Sequence, residues 1–195
     1  MHQNTLTMNP TDLADAAPAF AMANGDEVAA SWDRAQLLAL LGRLRDIGYD
    51  FVAPTPSTHA RVVARRNEET ARSLAGLLGW SLPAEPGVID AQLQADLIAA
   101  RVLARSDDDR LVPRLRASRV GENLFWHSPY PTSTPDAVFL GPDSHRFAQF
   151  ILANLPATCR TILDYGAGAG VGGILAARGK TGARLTIAGI NPKAL

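Results

Sequence analysis

The chain has 195 residues, of which 47% are hydrophobic, so it can form one large or two small domains and is too apolar for general disorder. Its 19 lysine and arginine residues balance 19 aspartate and glutamate residues, which excludes a bulk charge that would attract nucleic acid or a membrane surface. The single cysteine, Cys159, excludes an internal disulfide framework. No apolar run reaches the roughly 18 residues of a membrane span. No secretory signal is recognisable, so we expect a cytoplasmic protein without membrane partners.

Three helices are predicted in the first half of the chain. In residues 1–30 the apolar residues do not recur at a sustained helical or strand spacing, and this segment is expected to form a flexible tail. The first helix begins after Ser31 or Asp33, ends at Gly48, and has an apolar face of Leu37, Leu40, Leu41, Leu44 and Ile47. The second helix runs from about Ser57 to Leu78, with His59 expected at the surface. The third follows Pro86-Gly87 and carries Ile89, Leu93, Leu97, Ala100 and Leu103.

A β-hairpin is predicted next. Ser106–Arg110 is predicted to form a turn. Apolar and polar residues alternate over residues 111–117, as in a strand, and residues 124–127 are predicted to form the second strand. Three helices followed by a hairpin predict a winged-helix-like domain over residues 31–130. Such a domain serves either as a structural or protein-contact module or as a nucleic-acid binder, and the hairpin arginines that would contact phosphates are Arg110, Arg114, Arg116 and Arg119.

A proline-rich linker over residues 131–137 marks the predicted domain boundary. Beyond it, Gly141-Pro142 predicts a turn, and Asp143 or Ser144 is expected to cap a helix. The apolar face of that helix is predicted to consist of Phe147, Phe150 and Ile151.

A strand, a glycine turn and a helix follow. Residues 161–163 are expected to form a buried strand, Asp164 lies at its carboxyl end, and Gly166, Gly168 and Gly170 follow at alternate positions. Gly168, Gly170 and Gly173 also match the G-x-G-x-x-G pattern of a nicotinamide dinucleotide site. A carboxylate before the first glycine suits the ammonium of S-adenosylmethionine and would repel a pyrophosphate. A glycine turn that packs strand against helix without any ligand is the third alternative.

The stretch ILDYGAGAGVGGILAARG resembles motif I of class I S-adenosylmethionine-dependent methyltransferases. LTIAGINPKAL is similar to the next strand and helix start, and VFLGPDSHRFAQFI to the element before motif I in the small group of these enzymes, which methylate glutamine, adenine or ribosomal RNA. The resemblance implies a Rossmann-like fold, S-adenosylmethionine as cofactor, and methyl transfer to a nitrogen of a protein or nucleic acid. It implies these cofactor-binding residues: Phe139, Gly141, Ser144, Asp164, Tyr165, Gly166, Ala167, Gly168, Gly170, Gly189, Ile190 and Asn191.

Two departures from the family pattern modify these expectations. Gly189 occupies the position where the family places an acidic residue on the ribose hydroxyls, and no aspartate or glutamate follows Asp164. The family's catalytic Asn-Pro-Pro-Tyr-like loop follows the fourth strand, which residues 138–195 do not reach. We therefore expect an α/β chain with a truncated Rossmann-like sheet, no assignable catalytic residue and no metal, and we expect this chain not to be catalytically competent alone. Self-association or a partner is expected to complete the sheet.

Overall fold

The protein is described by a computed structural model over residues 4–8, 32–66 and 69–191. These residues combine helices with small sheets, which confirms the predicted α/β class. In chain order the elements are β1 (Asn4–Met8), α1 (Arg34–Asp46), α2 (Pro56–Arg66), α3 (Leu74–Leu78), α4 (Ala91–Ala99), β2 (Leu103–Arg105), β3 (Leu111–Pro113), β4 (Arg116–Val120), β5 (Asn123–His127), α5 (Pro142–Asn154), β6 (Thr161–Tyr165), α6 (Val171–Ala177) and β7 (Arg184–Gly189). No helix within these ranges is long and apolar enough to cross a bilayer.

The first strand falls within the segment predicted to be a flexible tail. Asn4–Met8 pairs antiparallel with β7, so the prediction for residues 1–30 is wrong at these five positions. A short strand has no helical period, and its hydrogen bonds lie with a distant partner, so the local pattern gave no signal. The remainder of the predicted tail, 1–3 and 9–30, lies outside the described residues.

The leucine spacing of α1 predicted its buried face. The side chain of Asp33 accepts a hydrogen bond of 3.1 Å from the backbone N–H of Gln36 and caps the helix. The four leucines of the predicted face are all buried, at Leu37, Leu40, Leu41 and Leu44. Ile47 is 55% exposed, because the helix ends at Asp46 and the chain turns away at Gly48.

The predicted helix from Ser57 to Leu78 is two helices, α2 and α3. The hydroxyl of Ser73 accepts a hydrogen bond of 3.1 Å from the N–H of Gly76 and caps α3, which therefore begins as a separate helix. Between the helices, the N–H of Ala71 donates to the carbonyl of Pro83 at 2.6 Å, which requires a non-helical chain. The third predicted helix is also shorter than expected: α4 ends at Ala99, and Leu103 belongs to β2.

Two antiparallel hairpins replace the single predicted one. The turn predicted at Ser106–Arg110 joins β2 to β3, and β4 pairs with β5. The indole N–H of Trp126 donates to the carbonyl of Leu37 at 3.0 Å, which fixes the second hairpin against α1. The hydroxyl of Tyr49 donates to the carbonyl of Ala117 at 2.9 Å, so two buried aromatic side chains have their polar atoms satisfied.

The carboxyl-terminal part contains a βαβ unit. β6 runs parallel to β7 and is connected to it by α6, giving a sheet of order β1-β7-β6. Leu185 and Ile187 of β7 are buried. In β6, Ile162 is buried, but Leu163 is 65% exposed, so the prediction of a fully buried strand is wrong. The strand alternates, and only the face towards α6 is covered within the described chain.

The segment predicted as a linker is held at both ends by hydrogen bonds. Its flanking residues Ser128 and Val138 form two of them, from Ser128 N–H to the Val138 carbonyl at 3.0 Å and from Val138 N–H to Ser128 Oγ at 2.8 Å. The guanidinium of Arg178, just after α6, also donates to the side chain of Asn123 in β5. The division at residues 131–137 stays a prediction, and these bonds connect the parts on either side of it.

Helix α5 forms where predicted, but most of its predicted apolar face is exposed. Ile151 is half-buried, whereas Phe147 and Phe150 are 53% and 64% exposed. The buried residue of the helix is Ala148. The predicted caps Asp143 and Ser144 lie inside the helix, whose N-cap is Gly141.

Candidate functional site

The glycine loop between β6 and α6 has a backbone that only glycine adopts readily. Gly166, Gly168 and Gly170 have φ angles of 76°, 53° and 72°, in the left-handed region. The N–H of Gly166 donates to the carbonyl of Ala188 in β7 at 2.8 Å, and the N–H of Ala167 donates to the same oxygen at 3.3 Å. The loop is therefore anchored to the carboxyl ends of both parallel strands.

The glycines of this segment divide into two kinds. A Cβ atom at Gly166 or Gly168 would have no heavy atom within 4 Å, so the surface beside these residues is open. A Cβ at Gly173 would lie 2.8 Å from the Cβ of Asp164, and one at Gly172 would lie 2.6 Å from the ring of Phe147. Gly166 and Gly168 thus leave room for a ligand, whereas Gly172 and Gly173 allow α6 to pack closely on α5 and β6.

Asp164 joins the strand to the helix. Its Oδ2 atom accepts a hydrogen bond of 2.7 Å from the backbone N–H of Gly173, in the first turn of α6. Burial raises the pKa of Asp164, and the bond from Gly173 opposes that shift. Because a carboxylate has two oxygens with four acceptor sites, this bond leaves Asp164 further capacity to accept hydrogen bonds from a cationic ligand.

The residues predicted from the preceding element lie at the start of α5. The N–H of Gly141 donates to Oγ of Ser144 at 3.4 Å, and the N–H of Ser144 donates to the carbonyl of Gly141 at 3.0 Å. The ring of Phe139 lies so close to Gly141 that a Cβ there would be 2.5 Å from it. Through Phe147, the same helix contacts Gly172 of α6, so α5 packs beside the helix that follows the glycine loop.

The residues predicted at the end of β7 differ in their surroundings. Gly189 pairs with Asn4 of β1, and Ile190 is 94% exposed. The side-chain amide of Asn191 donates to the carbonyl of Asp136 at 2.9 Å, which connects the end of β7 to the predicted linker. Tyr165, predicted beside the first glycine, is 76% exposed. Of the predicted site, the structure therefore holds Asp164 and the glycines together, with Tyr165 and Ile190 open to solvent.

The four hairpin arginines differ in their burial and pairing. Arg110 pairs with Asp108 at 2.6 Å, and Arg119 pairs with Asp50 at 2.7 Å. Arg114 is exposed as expected, but Arg116 is only 4% exposed. The prediction that all four contact phosphates is wrong for Arg116, because its side chain is buried.

A buried polar cluster was missed by the sequence reasoning. His59, expected at the surface, is 2% exposed, and Arg116, Ser118 and His127 are also buried. Strand alternation offered a partial signal, since Arg116 and Ser118 share a strand face and His127 is the register partner of Arg116. Because these residues are polar, the sequence did not indicate that this strand face is buried.

No protein-family model matches the chain, and no curated protein matches it. In the parts of the chain that the structure describes, no group of three His, Cys, Asp or Glu side chains lies close enough to hold a metal ion.

Proposed function

We propose that the chain binds S-adenosylmethionine at the glycine loop, as part of a class I methyltransferase of the small, nitrogen-directed group. The observation that carries the proposal is the arrangement of Asp164 with three left-handed glycines, at the carboxyl end of a parallel strand. In open α/β sheets, ligands bind at this edge. The parallel β6–α6–β7 unit supports a Rossmann-like domain, and the helices followed by hairpins support a winged-helix-like domain before it.

The carboxylate favours S-adenosylmethionine over a dinucleotide. A pyrophosphate needs backbone N–H groups and the positive end of the helix dipole, but Asp164 already accepts the N–H of Gly173 there. Its negative charge would repel the phosphates. The ammonium of S-adenosylmethionine would instead be attracted to the same carboxylate. The close packing of Gly173 on β6 is compatible with both cofactors, because the folds that bind them both place this helix close to the strand.

The residues present fit the amino-acid end of the cofactor better than its ribose. Asp164 would hold the ammonium, and the open backbone at Gly166 and Gly168 would lie against the ligand. Gly189 offers no carboxylate to the ribose hydroxyls, which weakens binding by roughly 1–3 kcal/mol relative to an acidic residue. When bound, the cofactor supplies a methyl group on a sulfonium, and the acceptor is a nitrogen of a protein or nucleic acid. No catalytic residue is assigned among the described residues.

Calorimetric titration with S-adenosylmethionine and, separately, with NADH tests the proposal. We expect saturable binding of S-adenosylmethionine, weakened at least about tenfold by Asp164→Asn, since a charge-assisted hydrogen bond is lost. The control variant Asp107→Asn, in the exposed turn between β2 and β3, removes an equal charge outside the predicted cofactor site and should bind as the wild type does. Binding of NADH without S-adenosylmethionine would overturn the choice of cofactor. Binding of neither would favour a glycine turn that only packs strand against helix.

A further inference from the structure

Buried polar side chains lie on the β4–β5 hairpin and on α2. The four buried polar residues within the described ranges are His59, Arg116, Ser118 and His127. Arg116 and His127 are opposite each other in the hairpin register, and Ser118 Oγ lies 2.8 Å from His127 Nε2. An aromatic group adjoins them: the ring of Phe51 lies 5.6 Å from Cζ of Arg116 and 5.2 Å from the ring of Trp80, centre to centre.

Arg116 has donors that the protein leaves without partners. Its Nε and Nη2 atoms are buried and have no hydrogen-bond partner, and none of the salt bridges among the described residues involves it. Burial lowers the pKa of Arg116 to about 10, so the guanidinium still carries its charge at neutral pH. A buried charge without a partner is strongly unfavourable, and buried polar groups of folded proteins are normally hydrogen-bonded.

The groups that face Arg116 supply no negative charge. The hydroxyl of Tyr49 donates to the carbonyl of Ala117, and burial raises its pKa far above neutral pH. Asp50, next in the chain, pairs with Arg119 at 2.7 Å instead. Burial first and then the charge of Arg116 lower the pKa of both His59 and His127, so neither imidazole adds a charge at neutral pH.

The tautomer of His59 follows from its one hydrogen bond. Nε2 lies 2.9 Å from the carbonyl oxygen of Trp80, which can only accept, so Nε2 carries the hydrogen. With a pKa lowered to about 4, the ring is neutral at pH 7 and its Nδ1 atom is an acceptor. Nδ1 is buried and has no partner within the described chain. The ring of Tyr130 stacks on His59 at 3.8 Å between centroids and covers it.

We propose that Arg116 and His59 form a binding site for a small oxyanion, a phosphate or carboxylate group. Nε and Nη2 are the two donors on one edge of a guanidinium, and that edge binds two oxygens of an oxyanion through parallel hydrogen bonds. The acceptor Nδ1 of His59 pairs with a hydroxyl, which hydrogen phosphate carries and an ionised carboxylate lacks. The site therefore favours phosphate over carboxylate.

The test measures binding of inorganic phosphate to the full chain. Thermal unfolding is followed at pH 7 in a fixed sodium chloride background, to which sodium phosphate is added at concentrations too low for general salt stabilisation, with sodium acetate as the carboxylate arm. We expect a melting temperature that rises with phosphate concentration beyond any rise on adding the same amount of chloride, and rises less with acetate. Phosphorus NMR of phosphate titrated with the protein gives the affinity directly, without any variant.

Arg116→Gln is compared with Arg114→Gln, which removes an exposed arginine two residues away. We expect Arg116→Gln to weaken phosphate binding at least about tenfold and Arg114→Gln to leave it unchanged. Equal rises in phosphate and chloride, or equal loss in both variants, would mean an unspecific salt effect and overturn the site. If Arg116→Gln does not fold, the wild-type titration decides: absence of saturable phosphate binding refutes the proposal.

Discussion

The carboxylate of Asp164 and the backbone N–H of Gly173 are joined by a hydrogen bond of 2.7 Å. This contact connects the end of β6 to the first turn of α6, across the loop of left-handed glycines. The first N–H groups of a helix have no partner within the helix, so Asp164 satisfies one of them from outside. One side chain therefore supports the helix and presents negative charge at the candidate cofactor site.

The two roles of Asp164 separate in two variants. Asp164→Asn keeps an oxygen that accepts from Gly173, so its free energy of unfolding should stay within about 0.5 kcal/mol of the wild type. Asp164→Ala loses the acceptor and should be about 1 kcal/mol less stable, as when a helix cap is removed. Urea unfolding measures both. Equal stabilities of the alanine variant and the wild type would show that the Gly173 bond adds nothing to the fold.

Replacing Gly173 with alanine should destabilise the protein by about 1–3 kcal/mol, because the added Cβ would lie 2.8 Å from Asp164 Cβ and from Leu185 Cδ1. Gly42, in the interior of α1, provides the matched control, since a Cβ there meets no heavy atom within 4 Å. Gly42→Ala should stabilise the protein by about 1 kcal/mol through helix propensity. Thermal unfolding of the two variants should shift in opposite directions, and shifts of the same sign would contradict the packing described here.

Acid should destabilise the protein before most carboxylates titrate. The pKa of His59 is about 4 in the folded chain and near its ordinary 6.5 when unfolded, so the unfolded chain binds more protons between these values. Stability therefore falls as pH falls from about 6.5 towards 4, by up to about 1.4 kcal/mol per pH unit for each such histidine. His127 acts in the same direction, because its pKa is also lowered.

His59→Gln isolates one of these contributions. The glutamine amide can still donate to the Trp80 carbonyl, but it does not titrate. Between pH 7 and 5 its free energy of unfolding should change less steeply than that of the wild type. Arg114→Gln, which alters an exposed side chain and leaves His59 in place, should keep the wild-type slope. A wild-type slope in His59→Gln would mean that His59 titrates normally in the folded state.

The unpaired charge of Arg116 should lower stability when no anion is bound. Arg116→Met replaces the guanidinium with an apolar chain of similar length beside Phe51, and in chloride buffer we expect a gain of about 1–2 kcal/mol. Arg116→Ala is the control for packing and should be less stable than the methionine variant, because it leaves a cavity. If Arg116→Met is less stable than the wild type, the guanidinium has favourable contacts that outweigh its desolvation.

Local periodicity predicted the elements whose signals are contained in their own residues. The leucine spacing located α1, and the alternating glycines after Asp164 located the turn between β6 and α6. The spacing of apolar residues does not show which element, if any, packs on the face that they form. Phe147 and Phe150 lie on a helix as predicted, yet more than half of each is exposed, because the period defines a face and not its neighbour.

Polar residues caused the other failures. A serine such as Ser73 is compatible with the surface of a helix, so the sequence did not indicate a break there. Its hydroxyl instead caps a new helix, which divides the predicted one. Arg116 was assigned to the surface by its charge, although its strand partner His127 and its neighbour Ser118 are equally buried. The glycine turn was therefore predictable from its spacing, whereas the burial of Arg116 and His59 depends on packing between residues far apart in sequence.

The pairing of β1 with β7 places Asn4 opposite Gly189, near the two ends of the chain. Contacts between residues so far apart in sequence have a high entropic barrier to closure and form late in folding. During synthesis, β1 cannot form this pairing until β7 has emerged from the ribosome. We expect its amide hydrogens to exchange faster than those of the β6–β7 ladder, since it can detach while the rest stays folded. Equal exchange rates in both ladders would show that the three strands open only together.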